Sequence, residues 1–513
     1  MTPPEPVTDR APVTHRVPVS VAVIGAGVSG LCMGLKLKAA GIEDFVLYDK
    51  AEDVGGVWRD NTYPGLSCDI PSRTYCYSFA PNPEWNALFS TGPEILRYLQ
   101  RTATDHGLRP HLRTGTHITR ATFTDGRWTL ETSTGETRAF DFLLCATGLL
   151  VHPTVPDLPG ADTFRGRAFH SARWDHTVQT TGQKIAIVGT GSTGVQLTCA
   201  LTPHAGRLML FQRTPQWVLP KPNKRISALA KAVHRRRPAL ARLTDPLWRL
   251  AFETTISKAA VTPGWQRTLL TYACRIALLR IRSTGLRRRM TPDHPPLCKR
   301  LVVASGFHRA VQQPHVDVIS TPIARITPRG LLTTDGHEHE ADLIVWATGF
   351  QADAYMRPLH ITGPHGRTLD DAWARGPRSY NTVALPGFPN LFLLVGPNSP
   401  FSGEAVIRTA ETQADYILQW IDLFARGVIS RTTPTREATD AFNAAIATAL
   451  PNTAFTGGCS SWYQDQNGTP LVWPWPVHTH RTLLSRIHHP DFHTLPGPAA
   501  THGPSALAGG DPA

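Results

Sequence analysis

Two glycine-rich turns carry the first chemical signal in this 513-residue chain. Gly25-Ala26-Gly27-Val28-Ser29-Gly30 follows the apolar run Val19–Ile24 and precedes a helical pattern through Leu31, Leu35 and Leu37 that stops at Gly41. A strand, a glycine turn and a helix in this order offer bare backbone N–H groups to a pyrophosphate at the helix N-terminus. A second strand, Phe45–Tyr48, ends at Asp49, nineteen positions after Gly30, where a carboxylate accepts from an adenosine ribose. A turn that binds nothing is the competing reading, and strand, glycines, helix, strand and acid in register weigh against it. The second turn, Gly189-Thr190-Gly191-Ser192-Thr193-Gly194, follows Ile185–Val188 and opens a helix at Gly194-Val195-Gln196. After its second strand comes Phe211-Gln212-Arg213-Thr214, with a base where the first site has an acid. An acid would repel a 2′-phosphate and an arginine pairs with it, so this site reads as one for NADPH rather than NADH. Two dinucleotide sites in one chain suggest electrons entering from one cofactor and leaving through another.

Two further patterns surround these turns. Phe164, Gly166, His170, Trp174 and Asp175 spell F-x-G-x-x-x-H-x-x-x-W-D between the two sites. Gly55-Gly56-Val57-Trp58, with Tyr63-Pro64-Gly65 and Asp69, spells [A/G]-G-x-W-x4-[F/Y]-P-[G/M]-x3-D. With these motifs the chain resembles the flavin-dependent (type I) Baeyer–Villiger monooxygenases, of the 4-hydroxyacetophenone and phenylacetone monooxygenase type. The resemblance runs from about Val19 to about Trp475, except for a variable middle. It implies insertion of one oxygen atom of O2 beside a ketone carbonyl, giving an ester or lactone. The route it implies is NADPH reduction of FAD and a C4a-peroxyflavin.

The same resemblance assigns roles to residues. FAD contacts fall to Gly25, Gly27, Ser29, Gly30, Asp49, Gly56, Val57, Trp58, Asp69, Tyr75, Ile118 and Val406. NADPH contacts fall to Gly189, Thr190, Gly191, Ser192, Thr193, Gly194, Gln196, Arg213, Thr214, Lys299, Arg300 and the mobile-loop Trp462. Leu149, Leu150 and Phe401 match positions around the ketone pocket, and their apolar character indicates a hydrophobic ketone. Arg300 and Asp69 are the catalytic candidates. The reaction needs an anionic peroxide and then a negatively charged oxygen stabilised, and a guanidinium serves both without a proton to lose. Asp69 would hold that guanidinium. On residue type alone Asp69 could equally be a turn residue and Arg300 a surface charge; the matching motifs single them out. Just beyond Arg300, Gly306-Phe307-His308 departs from the acidic and aromatic residues usual in the family. His170 invites a general-base reading, but a hinge or conformational role fits the family pattern better. No residue set indicates a metal.

These residues must be positioned by an α/β fold with two Rossmann-like dinucleotide-binding domains, for FAD and NADPH, and a helical insert. Thr124-Asp125-Gly126-Arg127 and Asp335-Gly336 are hairpin signals. Each region then closes alike, on Leu143-Leu144-Cys145-Ala146-Thr147-Gly148 and on Ile344-Val345-Trp346-Ala347-Thr348-Gly349. The plan of nucleotide turn, β-meander and closing strand therefore occurs twice. The expected division is 18–150 with 380–487 for the FAD domain and 151–379 for the NADPH domain, the latter including a helical insert at 221–297. Glu411–Ala425 reads as an amphipathic helix packed back on the FAD domain. Residues 1–17 and 488–513 read as a disordered lead-in and tail.

The chain carries a formal charge of +13, much of it in 221–300, where Arg235–Arg237 and Arg287–Arg289 cluster. No nucleic-acid module accompanies these clusters, so a solvated helical insert is the preferred reading. Contact with an anionic membrane surface stays open, whereas no apolar run is long enough to span a bilayer. Eight scattered cysteines without a C-x-x-C pair argue against a metal framework or dithiol reductase and favour a reducing, cytoplasmic setting. Two other functions remain in play. One is an N- or S-oxygenating flavin monooxygenase, whose pattern ends in Tyr or Phe rather than Trp174-Asp175. The other is an NADPH-driven reductase passing electrons to a protein, which would need neither Arg300 nor the 164–175 stretch. Which ketone is used, its regiochemistry and the oligomeric state are not encoded legibly.

Overall fold

The structure is a computed structural model that describes residues 17–236, 250, 253–400 and 403–501. The first apolar run becomes β1 (Val21–Ile24), and the second β2 (Phe45–Tyr48). Both are buried on both faces, as an uninterrupted run of Val, Ile, Leu and Phe requires. They pair in parallel, Val21 opposite Phe45, and β3 (Leu112–Arg113) extends the sheet beyond β2. The chain then leaves for an antiparallel meander, β4 (Ile118–Thr124), β5 (Arg127–Thr132) and β6 (Thr137–Phe140). Asp125 and Gly126, at φ 51° and 84°, make the tight turn between β4 and β5. β7 (Phe142–Cys145) returns to lie parallel to β1, Val21 opposite Phe142.

The plan repeats after β8 (Arg167–His170). β9 (Lys184–Val188) and β10 (Arg207–Phe211) flank the second turn and its helix. The short β11 (Val218–Leu219) and β12 (Val302–Val303) pair at the two ends of the basic insert. β13 (Val316–Ile319) joins β10, and a second meander follows in β14 (Ile323–Thr327), β15 (Gly330–Thr333) and β16 (Glu338–Glu340). β17 (Leu343–Trp346) closes it between β9 and β8, giving the order β13-β10-β9-β17-β8. The chain then crosses back. β18 (His360–Thr362) pairs with β4, and β19 (Leu391–Leu393) adds to β7, completing the order β19-β7-β1-β2-β3. Two Rossmann-type parallel sheets with helical insertions are therefore present, in agreement with the expected α/β class.

Helix Val406–Ala425 packs on the Val28–Ala39 helix behind the first turn, with Ala414, Ile417 and Ile421 wholly buried. It begins at Val406 rather than Glu411, because Ile407 and Ala410 continue the same buried face. Among the described residues, 221–297 contain helices Ala228–Arg236, Lys258–Val261, Trp265–Leu278 and Thr284–Arg289 and no strand. Residues 1–16 lie outside the described residues, and the Val17 N–H already donates to the Ala425 carbonyl at 2.8 Å.

Two expectations are corrected. The tail from 488 is not uniformly irregular: β20 (Ile429–Pro434) pairs antiparallel with β21 (Phe492–Pro496). Phe492 packs on Trp420 with ring centroids 4.5 Å apart, and the Tyr380 hydroxyl donates to Asp491. Composition rich in His and Pro concealed one buried aromatic that suffices to dock the strand. Cysteine spacing, read as favouring a reduced chain, also misses a pair. Cys298 and Cys459, 161 positions apart, form a disulfide, while the other six cysteines are free. Spacing rules see short motifs and not such a contact.

Deleting 488–513 should therefore destabilise the protein, whereas deleting 502–513 should not. Phe492→Ala is expected to cost about 3–4 kcal/mol, read as a lowered thermal midpoint. An unchanged midpoint would show the strand to be ornamental. Alkylating the unfolded chain without reductant should add six groups, rising to eight after reduction, since two of the eight cysteines are paired. Eight groups at the outset would mean that the bond does not form in the purified protein.

Candidate active site

The two glycine turns are built alike. Gly25 has φ +105° and Gly189 φ +113°, and a Cβ on either would lie 2.4 Å from a carbonyl oxygen, that of Ala146 or Ala347. These alanines belong to the two Ala-Thr-Gly segments, so each turn is pressed against the closing strand of its own sheet. Gly30 and Gly194 press back on Gly25 and Gly189 in the same way, with no room for a side chain. A Cβ on Gly191, by contrast, would meet nothing within 4 Å. That open side, facing the N-terminus of helix Ser192–Leu201, suits a phosphate against backbone. The helix opens at Ser192, two positions before Gly194.

Both turns face one cleft of about 470 Å3. Gly25, Gly27, Ser29, Asp49, Gly56, Val57, Trp58, Asp69, Tyr75, Ile118 and Val406 line it from the first set of candidates. Gly191, Ser192, Thr193, Gln196, Arg300 and Trp462 line it from the second, and Leu149 and Leu150 add an apolar wall. Gly30, Gly189 and Gly194 support the turns from behind. Phe401 lies outside the described residues. Asp49 is fixed in place: its Oδ2 accepts from the Ala26 N–H at 2.8 Å, and its Oδ1 from the Ala51 N–H and from Arg59. Trp58 donates its indole N–H to the Tyr75 hydroxyl at 2.9 Å, which locks both rings.

Arg213, Thr214 and Lys299 stand outside the cleft lining, on a basic shoulder next to the second turn. Thr190 donates to the Thr214 carbonyl at 2.8 Å and ties the shoulder to the turn. Burial, and then the Arg213 charge beside it, push the Lys299 ammonium below its ordinary value. Two cations held this close make a site for a multiply charged anion.

At the centre, Arg300 donates to Asp69 in a two-pronged pair, Nε to Oδ2 at 3.0 Å and Nη2 to Oδ1 at 2.8 Å. Burial alone would raise the Asp69 carboxyl, but the Arg300 charge and hydrogen bonds outweigh it and hold the group below the usual carboxylate range. The Arg300 side chain remains 33% exposed, so part of the guanidinium faces the cleft. Its loop is held from three sides. Gln216 donates to the Arg300 carbonyl at 3.0 Å, the Tyr463 hydroxyl donates to the Cys298 carbonyl, and the disulfide joins Cys298 to the loop that carries Trp462. Leu297 sits at φ 70°, a costly conformation for a branched residue that these tethers maintain.

Of the 164–175 stretch only Ser171 lines the cleft; the rest lies beside it. His170 is 4% exposed; its Nδ1 accepts from the Ala172 N–H, which leaves Nε2–H to donate to the Gly349 carbonyl at 3.1 Å. Burial pushes this imidazole below its ordinary value, and with both ring nitrogens engaged neither has a lone pair left to take a substrate proton. Trp174 packs edge-on against Phe169, Phe164 is packed against the second meander, and a Cβ on Gly166 would clash with the Asp342 carbonyl oxygen at 2.4 Å. Asp175 caps a turn by accepting from Thr177. The next residue, His176, shares a hydrogen bond with Thr62 at 2.8 Å, so the stretch touches the loop that ends in Asp69.

Three cleft neighbours escaped the sequence reading. Lys221 is buried and donates to the Cys68 carbonyl at 2.9 Å and to Ser67, placing a second cation near Asp69. Arg59 braces Asp49, and Tyr63 donates to Gln196 at 2.9 Å across the two sheets. Tyr63 was visible inside its motif; nothing in Leu219-Pro220-Lys221-Pro222 announced Lys221.

Comparison with known proteins agrees with this geometry. The model of the flavin-binding monooxygenase-like family matches residues 19–243. An uncharacterized monooxygenase of Mycobacterium tuberculosis is 48% identical over 93% of this chain and 96% of its own. A Baeyer-Villiger monooxygenase of Streptomyces coelicolor is 37% identical, over 96% of this chain and 95% of its own. Cyclohexanone monooxygenase from Rhodococcus sp. Phi1, solved bound to NADP+, superposes with a TM-score of 0.84 at 28% identity, covering 93% of this chain and 99% of that one. This chain therefore belongs to the flavin-dependent, type I Baeyer–Villiger-like monooxygenases and is an oxidoreductase that works with FAD and NADPH.

Proposed function

We propose that the enzyme inserts an oxygen atom next to the carbonyl of a hydrophobic ketone, releasing an ester or lactone. The observation that carries this reading is the Arg300–Asp69 pair, set in a cleft that both glycine turns share. FAD, reduced by NADPH, supplies the activation of O2. The first turn, Asp49 and the Trp58–Tyr75 pair would hold the flavin nucleotide. The second turn with Arg213, Thr214 and Lys299 would hold NADPH, the shoulder taking its 2′-phosphate. Leu149, Leu150, Met356 and Trp462 line the apolar part of the cleft and would exclude water from the ketone.

Arg300 presents a permanent positive charge where negative charge develops on the attacked carbonyl oxygen. Asp69 orients it and neutralises one unit, while Lys221 restores it, so the centre keeps a net positive charge. A reductase that hands electrons to a protein would have no use for such a centre. Trp174-Asp175, where the pattern of the N- or S-oxygenating enzymes ends in Tyr or Phe, favours the ketone reaction over N- or S-oxygenation.

A panel of ketones, organic sulfides and tertiary amines incubated with enzyme and NADPH under air, with products identified by mass, tests the reading; sulfoxides or N-oxides as the only products, with no ester or lactone from any ketone, would overturn it. Arg300→Ala should retain flavin and still bleach under NADPH. On readmission of air it should release hydrogen peroxide, with ester formation reduced by ~10²–10³, about 3–4 kcal/mol. Ester formation at the wild-type rate would remove Arg300 from the mechanism. Arg213→Ala should raise KM for NADPH by ~10-fold or more, the loss of a charge-assisted contact of about 1.5–3 kcal/mol, and leave NADH use unchanged. Equal effects on both cofactors would place the 2′-phosphate elsewhere.

A further inference from the structure

Helix Trp265–Leu278 lies on the surface with the wrong face outward for a solvated helix. Trp265, Leu269, Tyr272, Ile276 and the following Leu279 are 57–69% exposed. Their spacing of four, three, four and three residues puts them in one stripe, about 20 Å long. The opposite face already supplies the core, through Cys274, Ala277 and Leu278. Both faces of the helix are thus apolar, and packing among the described residues accounts for one of them. Exposed large side chains occur singly on ordinary surfaces; five in register do not.

The stripe is bordered by positive charge. Arg275 and Arg280 flank it, and Arg282 follows. An open groove of about 730 Å3 between this helix and Thr284–Arg289 is lined by Arg275, Arg287 and Arg288, against one carboxylate, Asp293. Among the described residues, no carboxylate pairs with Arg275, Arg280, Arg282, Arg287 or Arg288 at salt-bridge distance. An apolar stripe edged by unpaired arginines fits a partner that is apolar inside and anionic at its rim. A second copy of the chain fits poorly, since a two-fold contact would set these arginines against their own copies. Nucleic acid would satisfy the arginines and leave Leu269, Ile276 and Leu279 unburied. No helix among the described residues is long and apolar enough to cross a membrane.

We propose that the Trp265–Leu279 stripe and its arginine rim dock the enzyme on an anionic bilayer surface, the stripe entering the headgroup–acyl boundary and the rim binding lipid phosphates. This surface is independent of which substrate is oxidised. The test is flotation of the full-length, flavin-loaded enzyme with vesicles of equimolar phosphatidylcholine and phosphatidylglycerol, compared with phosphatidylcholine alone. The wild type should float with the anionic vesicles and dissociate in high salt. Leu269→Ser with Ile276→Ser should lower binding by ~10-fold or more. Arg275→Gln with Arg288→Gln should lower it by roughly 20- to 30-fold, at about 5-fold for each arginine near the surface. Flavin content and NADPH oxidation should stay at wild-type level in both variants, which separates loss of docking from loss of fold. Failure of the wild type to bind anionic vesicles overturns the proposal. It is overturned equally by vesicle binding that neither double variant weakens. A dimer without vesicle binding that the serine variant dissociates, or retention on RNA without vesicle binding, would assign the surface to those partners instead.

Discussion

An ion pair between residues 231 positions apart holds the catalytic candidates of this protein together. Asp69 ends the loop that leaves the first sheet, and Arg300 ends the basic insert of the second. Each holds the other's side chain in place at the cleft. A carboxylate this enclosed needs a cation to stay ionised, and a guanidinium needs a planar acceptor to be held in one orientation. The pair thus links two sheets that no strand joins directly among the described residues. Around it the structure adds further bridges, among them Tyr63 to Gln196, His176 to Thr62, and Lys221 to Cys68.

Much of the architecture was legible because the chain repeats a plan whose physics is strict. Buried parallel strands must be continuous apolar runs, and the turn between strand and helix must be glycine where a carbonyl oxygen comes within 2.4 Å of the missing Cβ. These constraints act over a few neighbouring residues, so they leave a local mark. The hairpins at Asp125-Gly126 and Asp335-Gly336 are legible for the same reason. The cleft itself was less so. Asp49 and Arg213 could be read from their place after a strand, whereas Arg300 could be picked out from the many arginines only through its motif. Lys221 left no local trace, because the groups that make its burial tolerable, Cys68 and Asp69, lie some 150 positions away in the chain.

The same distinction explains the two corrections. A disulfide across 161 positions and a tail strand docked by one phenylalanine are properties of three-dimensional proximity. Both brace segments that support the cleft. The disulfide ties the segment beside Lys299 and Arg300 to the loop bearing Trp462, while the tail strand covers Trp420 on the helix that backs the first turn. Composition assigned the tail by its average, and the average conceals a single well-placed side chain.

Gly65 acts as a spacer whose thickness is one absent methyl group. It sits at φ +83° in the loop leading to Asp69, and a Cβ there would lie 2.9 Å from both the Ala200 side chain and the Gln196 carbonyl oxygen of the second nucleotide helix. The loop therefore rests on that helix backbone to side chain, with nothing compressible between them. Adding a carbon would lift one sheet off the other by several tenths of an ångström. Transfer between two bound partners demands reacting atoms within about 3–3.5 Å, and a displacement of about 1 Å can cost two orders of magnitude in rate. On the reading proposed above, the gauge of the gap between the two cofactors is set at a residue that touches neither.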